Sequence, residues 1–470
     1  MKKNLLFILL FFALGAFPLY GLLFYPAREN TDNHTLAAKP ELVKEGTVNL
    51  SFLSDAGDYF TDRFAGRQEF LTANALVKSE IFKESSVDII VRGTQDHWLY
   101  YSASVKDETG ENQASAREIA NIVRTLDLTR EYAEDNGMKF IFTVAPDKSS
   151  LYPEYIPYYC PTVSSNHVID ALTEKLSGSD LTYVDLYKLF RSDDRVLYHA
   201  GDSHWNNIGA AKVQNELLTA LDKSHTDFTA KEPVLRQDFE GDLDKILFPL
   251  ARHRETEEDY SGYYTFQYDG SSDTSGYQLE TENSGKEGTL TMFRDSFGNS
   301  LLPFMAEDYQ KAYFYRSVPY RVDLAAANGS DACILEIVER NLYHLTLDAP
   351  VMQAPFRKID AASAEDSGQS VSCEKREFEN YEKITGVLND GEADADSPVY
   401  IQFTGESGIH YTMEASPCYV SEDGTGNENG FTMYFYPDIL KAGNYETRIL
   451  TYRDGKLTAA ETDLSLNVNK

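Results

Sequence analysis

Hydrophobic and polar positions change rhythm three times along the chain. Asn4 to Tyr25 is an uncharged run behind Met1-Lys-Lys. Phe60, Phe64, Phe70, Leu71, Ala75 and Ile81 then recur at helical spacing, which predicts two helices over 52–84 with Gly66 between them. From there to about residue 345, amphipathic stretches alternate with short apolar ones. Val87–Val91 and Trp98–Tyr101 read as strands around a turn. Residues 116–136 read as a helix closed by Gly137, and Met138–Ala145 as a buried strand. Further helices are predicted at 166–176 and 206–221, and further strands at 182–186, 288–293, 311–315 and 332–338. Helices alternating with buried strands predict an α/β domain with a mainly parallel sheet covered on both faces. Within it, 226–287 is acidic and polar and reads as an insertion or lid with short strands around 263–268. Beyond 372 only strand-like alternation remains, with Asp454-Gly455 as a hairpin turn, which fits a small β-sandwich. The expected division is 1–27 anchor, 28–49 stem, 50–358 α/β domain, 359–372 linker and 373–470 sandwich.

The opening run exceeds an ordinary signal-peptide core and matches the roughly 20 residues that span a bilayer. No Ala-x-Ala cleavage site follows it. With Lys2 and Lys3 inside, the body would face outward as a signal-anchored, extracytoplasmic protein. A cleaved signal peptide and a secreted protein form the competing expectation. Net charge is -32, so a phosphate backbone is repelled and no nucleic-acid partner is expected. Cys160, Cys333, Cys373 and Cys418 form no C-x-x-C motif, which leaves a zinc ribbon or redox pair unsupported. Cys373 and Cys418 share the C-terminal region, where a disulfide would suit an outside location.

Candidate chemistry gathers in two stretches. In Leu290-Thr-Met-Phe-Arg-Asp-Ser-Phe-Gly-Asn-Ser300 a buried strand must turn sharply into a helix at Ser296. Such a turn pushes the hydroxyl out beside free backbone N–H groups that can hold an oxyanion. A helix N-cap role for Asp295 or Ser296 competes with this reading. In Gly201-Asp-Ser-His-Trp205, Asp202 and His204 project to one side of an extended segment, so the carboxylate can hold Nδ1–H and leave Nε2 free. Trp205 would wall the site, while Ser203 points away. His199, Asp202 and His204 are a possible metal set without a supporting motif, so neither metal nor cofactor is expected. Lys148, in the loop after Met138–Ala145, is a candidate contact for an anionic substrate, a solvated lysine being the alternative.

Asp202-Ser-His-Trp205 with Asn-Asn-Ile-Gly-Ala210 after it, and Arg294-Asp-Ser-Phe-Gly298 downstream, resembles the SGNH hydrolase-like acetyltransferases AlgX and AlgJ and their Gram-positive DHHW relatives. Trp98–Tyr101, Val144–Pro153, Gly241-Asp-Leu243 and Ile334–Arg340 extend the likeness over about 50–345. Arg294 departs from a Gly-Asp-Ser pattern, and Ser203 replaces the first His of the DHHW motif. The resemblance implies an SGNH-like fold and an O-acetyltransferase acting on an exported or cell-surface polysaccharide, supplied by a membrane-bound O-acyltransferase. It makes Ser296 the nucleophile, His204 the base and Asp202 the orienting carboxylate, with the N–H of Ser296 or Phe297 and the Asn299 amide as oxyanion donors. A carbohydrate acetyl esterase with the same triad, or a non-catalytic glycan-binding partner, are the alternatives.

Overall fold

A computed structural model describes residues 2–24, 36–44, 46–394, 396–419 and 427–468. Local chemistry sets the helix ends. The N-terminal pair is Phe52–Arg63 and Arg67–Val77, parted at Gly66, whose φ of +83° an L side chain resists. Helix Ala116–Asp135 opens on a capping box in which Ser115 Oγ accepts from Glu118 N and the Glu118 carboxylate accepts from Ser115 N.

Seven strands form the central sheet, in the order Tyr183–Val184, Lys139–Ala145, Ala332–Val338, Thr289–Phe293, Lys311–Tyr315, Gln278–Glu282, Gln267–Tyr268. The first five are parallel and the last two antiparallel. Both faces are covered, which is why the central strands read as unbroken apolar runs. Ile334 and Val338 enter one core with Met292 and the helices Asn207–Ala220 and Gly298–Glu307. Cys333, Leu335 and Ile337 enter the other with Phe142, Val144 and helix Ala116–Asp135. Glu336 interrupts the pattern and is fully buried.

Before the C-terminal sheet, the fold departs from expectation in two places, at 226–287 and in the linker. Residues 226–287 are not a lid. They supply both antiparallel strands of the central sheet and a hairpin, Val234–Phe239 with Glu255–Asp259, that carries helix Asp242–Leu247 between its strands. As expected, Ile90–Arg92 and Leu99–Tyr101 pair as strands around a turn, in a hairpin of their own outside the central sheet. The predicted linker is ordered: Ala361–Ser363 is a 3₁₀ turn, and Glu365–Val371 pairs in parallel with Lys456–Val468.

The C-terminal strands make one eight-stranded sheet rather than two separate ones. It curls around a single core that includes Ile384, Ile401, Phe403, Phe431 and Ile449. Cys373 N–H donates to Asp463 at 3.3 Å where its two ends approach. Cys373 and Cys418 are both free thiols. At the N-terminus, Lys2–Phe24 is a helix of 23 residues. Among the described residues no helix is long and apolar enough to cross a membrane, part of this helix's side chains lying outside that set. Of the stem expected at 28–49, residues 36–44 and 46–49 are described, and there Val43–Lys44 pairs antiparallel with Thr47–Val48.

An ionic cluster joins the two domains. Glu414, its side chain 1% exposed, accepts from Arg124 Nε and Nη2 at 2.6 Å each and from Arg357 Nε at 2.6 Å. Removing its charge leaves each guanidinium with one carboxylate fewer, Arg124 keeping Asp127 and Arg357 keeping Glu131. Glu414→Gln is expected to cost about 2 kcal/mol, less than a fully buried pair because both arginines keep some solvent contact. A urea-unfolding midpoint identical to wild type would show that the cluster contributes nothing.

Candidate active site

The carboxyl ends of the parallel strands meet at one place, the usual position for ligands in such sheets. Thr289–Phe293 delivers Ser296 there, Lys139–Ala145 delivers Asp147 and Lys148, and Ala332–Val338 delivers Glu339 and Arg340. Asp202 and His204 arrive on the segment before helix Asn207–Ala220, which Asn206 caps by accepting from Gly209 N at 3.0 Å.

The three groups converge. His204 Nε2 lies 2.9 Å from Ser296 Oγ, and His204 Nδ1 lies 2.7 Å from Asp202 Oδ1. A carboxylate only accepts, so Nδ1 carries the hydrogen and Nε2 is the acceptor for the serine O–H. Asp202 is buried, whereas the His204 side chain keeps 22% exposure. Burial alone would raise the Asp202 pKa, but the His204 charge, its hydrogen bond and the N–H groups of Asp242 and His204 hold it well below the carboxylate range. Burial disfavours the His204 imidazolium, yet Asp202 and then Asp242 outweigh it and raise the ring's pKa.

Residues 90–285 match the family described as SGNH hydrolase-like domain, acetyltransferase AlgX. This stretch is therefore similar to the SGNH hydrolase-like domain of the AlgX acetyltransferases. The match contains Asp202, His204, Lys148 and Asp242 and stops short of Ser296. Among solved structures, Bacillus cereus PatB1 with a sulfonyl adduct aligns at TM-score 0.42 and 15% identity over 54% of this chain and 95% of its own. A DHHW family protein from Eubacterium siraeum aligns at 0.37 and 15% identity over 55% and 97%. Pseudomonas aeruginosa AlgX aligns at 0.37 and 12% identity over 74% and 86%. No curated protein matches.

In this SGNH-like domain a fourth group, Asp242, completes the surroundings of His204. Its N–H donates to Asp202 Oδ2 at 2.7 Å, and its Oδ2 accepts from Ser203 Oγ at 2.7 Å and lies 3.6 Å from His204 Nδ1. Two backbones touch to allow this: a Cβ on Gly241 would sit 2.1 Å from the Gly201 carbonyl oxygen. Burial, then the neighbouring Asp202 charge, raises the Asp242 pKa. Asp202, His204 and Asp242 also have donor atoms within 4.8 Å of one another, but each carboxylate is already held by N–H groups and Ser203. His199 stands apart from that set, its Nε2 2.8 Å from Glu257 Oε2 and its ring stacked on Phe239.

One expected donor, Phe297 N–H, and one expected wall residue, Trp205, are placed otherwise. Phe297 N–H is already spent on Asp295 Oδ1 at 2.9 Å. The buried Phe297 ring instead packs against His204 and Trp205, with centroids at 4.8 and 4.9 Å. Asn299 Oδ1 accepts from Arg294 Nη1 at 2.6 Å, which turns its amide N–H₂ the opposite way. Ser296 N–H makes no hydrogen bond among the described residues. Trp205 lies beneath the turn rather than at its mouth, 2% exposed, with Nε1 donating to Ser300 Oγ at 2.8 Å. Gly298 is required because a Cβ there would meet Arg294 Cδ at 2.5 Å.

Lys148 does not face an open surface. It is 2% exposed, and its Nζ donates toward the carbonyls of Leu99, His199, Ala200 and Asp202 at 2.7, 2.7, 2.6 and 2.9 Å. Burial pushes its pKa down to about 7, against the pull of Asp202, Glu255 and Asp242. Four acceptors at that range favour the ammonium, which has three hydrogens to share.

Sequence reasoning placed Asp242 and Glu336 inside stretches that extend the likeness but gave neither a role, and it missed this role of Lys148. Glu336 accepts from Asp295 N at 3.2 Å, and a lone Glu inside Ala-Cys-Ile-Leu-Glu-Ile-Val was its only signal. Two outcomes follow from the geometry. Lys148→Met leaves four buried carbonyls without a donor, so His204 should lose its single Nδ1–H tautomer in ¹⁵N spectra; an unchanged ring spectrum would contradict the bracing. Asp242→Asn removes a negative charge beside the ring, so NMR titration should find the His204 pKa lower than in wild type, and a pKa that stays or rises would refute the assigned cause.

Proposed function

We propose that this chain is an extracytoplasmic O-acetyltransferase that modifies an exported or cell-surface polysaccharide through an acetyl-Ser296 intermediate. What supports the reading above all is the line Asp202 Oδ1–His204 Nδ1 at 2.7 Å and His204 Nε2–Ser296 Oγ at 2.9 Å, on a domain similar to that of the AlgX acetyltransferases.

Ser296 Oγ attacks the acetyl carbonyl as its proton passes to His204 Nε2. The oxyanion lies against Ser296 N–H, with the Asn299 amide as the second candidate donor. His204 returns the proton to the donor's leaving oxygen, and the C–O bond to the leaving group breaks. A sugar hydroxyl then attacks the acetyl ester, His204 takes its proton, and Ser296 departs reprotonated. Imidazole must be neutral to act as base, and its pKa is raised. Activity therefore climbs with pH through a value above that of an ordinary histidine.

The uncharged run behind Lys2 and Lys3 supports a membrane anchor, which would set the domain beside a membrane-bound O-acyltransferase as acetyl supplier. Transfer of acetyl from 4-nitrophenyl acetate to an oligosaccharide, followed by mass spectrometry, tests the reaction. Ser296→Ala should lower it by about 10³-fold or more. Acetate released without acetylated sugar would make the protein an esterase instead. Polymer acetylation that survives in the Ser296→Ala variant would make it a non-catalytic partner.

A further inference from the structure

A cavity of about 580 Å³, within the range of small-ligand sites, lies beside Arg340 and is lined by none of the triad. Its walls come from helix Ser102–Glu108, the loop at 111–114, the start of helix Ala116–Asp135, and the segment Glu339 to Thr346. Arg340 links its wall to Phe297. The guanidinium stands 5.4 Å from the Phe297 ring centre, and that ring packs on His204.

The lining has a definite chemistry. Asp107, Glu111, Glu118 and Glu339 face it, against Lys106 and Arg340. Arg340 is already neutralised, since it pairs with Asp147 through both Nη1 and its backbone N–H. Burial and the Asp147 charge push Glu339 up to about 8, so it adds no charge at neutral pH; Asp107, Glu111 and Glu118 remain against Lys106, an excess of carboxylate that repels an anionic ligand. Asp107 adds a specific demand. Its Oδ1 accepts from Asn112 Nδ2 at 2.6 Å, while its Oδ2 is buried with no partner among the described residues. Such an orphaned oxygen is costly unless an O–H or N–H donor reaches it. Burial pushes the Asp107 carboxyl up to about 6, as expected for an acceptor short of donors. Ile122, Leu342 and the half-exposed Tyr343 supply an apolar side on which a sugar ring can lie.

We propose that this cavity binds a neutral or amine-bearing sugar unit of the acceptor glycan, that Asp107 accepts a hydrogen bond from it, and that polyuronates are excluded. The acetyl-transfer reading is used only to call that glycan the acceptor.

The experiment is calorimetric titration of the full chain with cellotetraose, a glucosamine tetramer and tetragalacturonate, with 4-nitrophenyl acetate hydrolysis measured in parallel. The first two should bind, and tetragalacturonate should bind at least tenfold more weakly than either. Asp107→Asn and Tyr343→Ala should each weaken binding tenfold or more with ester hydrolysis unchanged. Equal affinity for tetragalacturonate, or wild-type affinity in both variants, overturns the proposal. The two readings fail separately. Ester hydrolysis unaffected by Ser296→Ala counts against the triad alone, so loss of sugar binding in Asp107→Asn would still stand for the cavity.

Discussion

A buried ammonium pressed against four carbonyl oxygens holds the segment on which this site depends. Residues 199–204 lie outside every named strand and helix; only the isolated bridge of Tyr198 with Trp205 closes them. Their carbonyls turn inward to Lys148, and their N–H groups turn the other way, Ala200 and Gly201 donating to Glu255 at 2.6 and 2.8 Å. The loop is thus clasped between a cation on its acceptor side and an anion on its donor side. Charge-assisted bonds of this kind are each worth roughly 1.5–3 kcal/mol, enough to stand in for a missing strand ladder.

Carboxylates surround the imidazole and the nucleophile turn, and their protonation differs by position. Asp202 is kept ionised by the ring and two N–H groups, whereas Glu336, buried beneath the turn beside Asp295, is pushed well above the usual carboxyl range by burial and by that neighbour. Asp295 accepts from Phe297 N and Val338 N, so it pins the turn to the end of the adjacent strand. The local field is therefore negative where a positive imidazolium would form, and it favours proton uptake by His204.

The α/β alternation and the pairing of Asp202 with His204 were legible because each rests on local spacing, whereas the meeting with Ser296, 92 residues further on, was expected from the two stretches taken together and from the family resemblance. Lys148 was misread because backbone carbonyls leave no trace in a side-chain pattern. Asp242 was hidden in an acidic stretch whose charges looked solvated. Gln278–Glu282 carries too few apolar residues to announce a strand, since only Leu279 and Thr281 are buried along it. Phe297 N–H looked free because the competing acceptor, Asp295, is visible only once the turn is folded.

The segment that joins the domains has its own consequence. Ala354 N donates to Tyr434 O, Arg357 N to Thr412 O, and Glu414 N to Pro355 O, so the chain is stitched into the second domain before it leaves the first. The two bodies are spliced rather than tethered. Any ligand touching both would meet a fixed ruler, with the spacing between the domains set by backbone hydrogen bonds and not by a hinge.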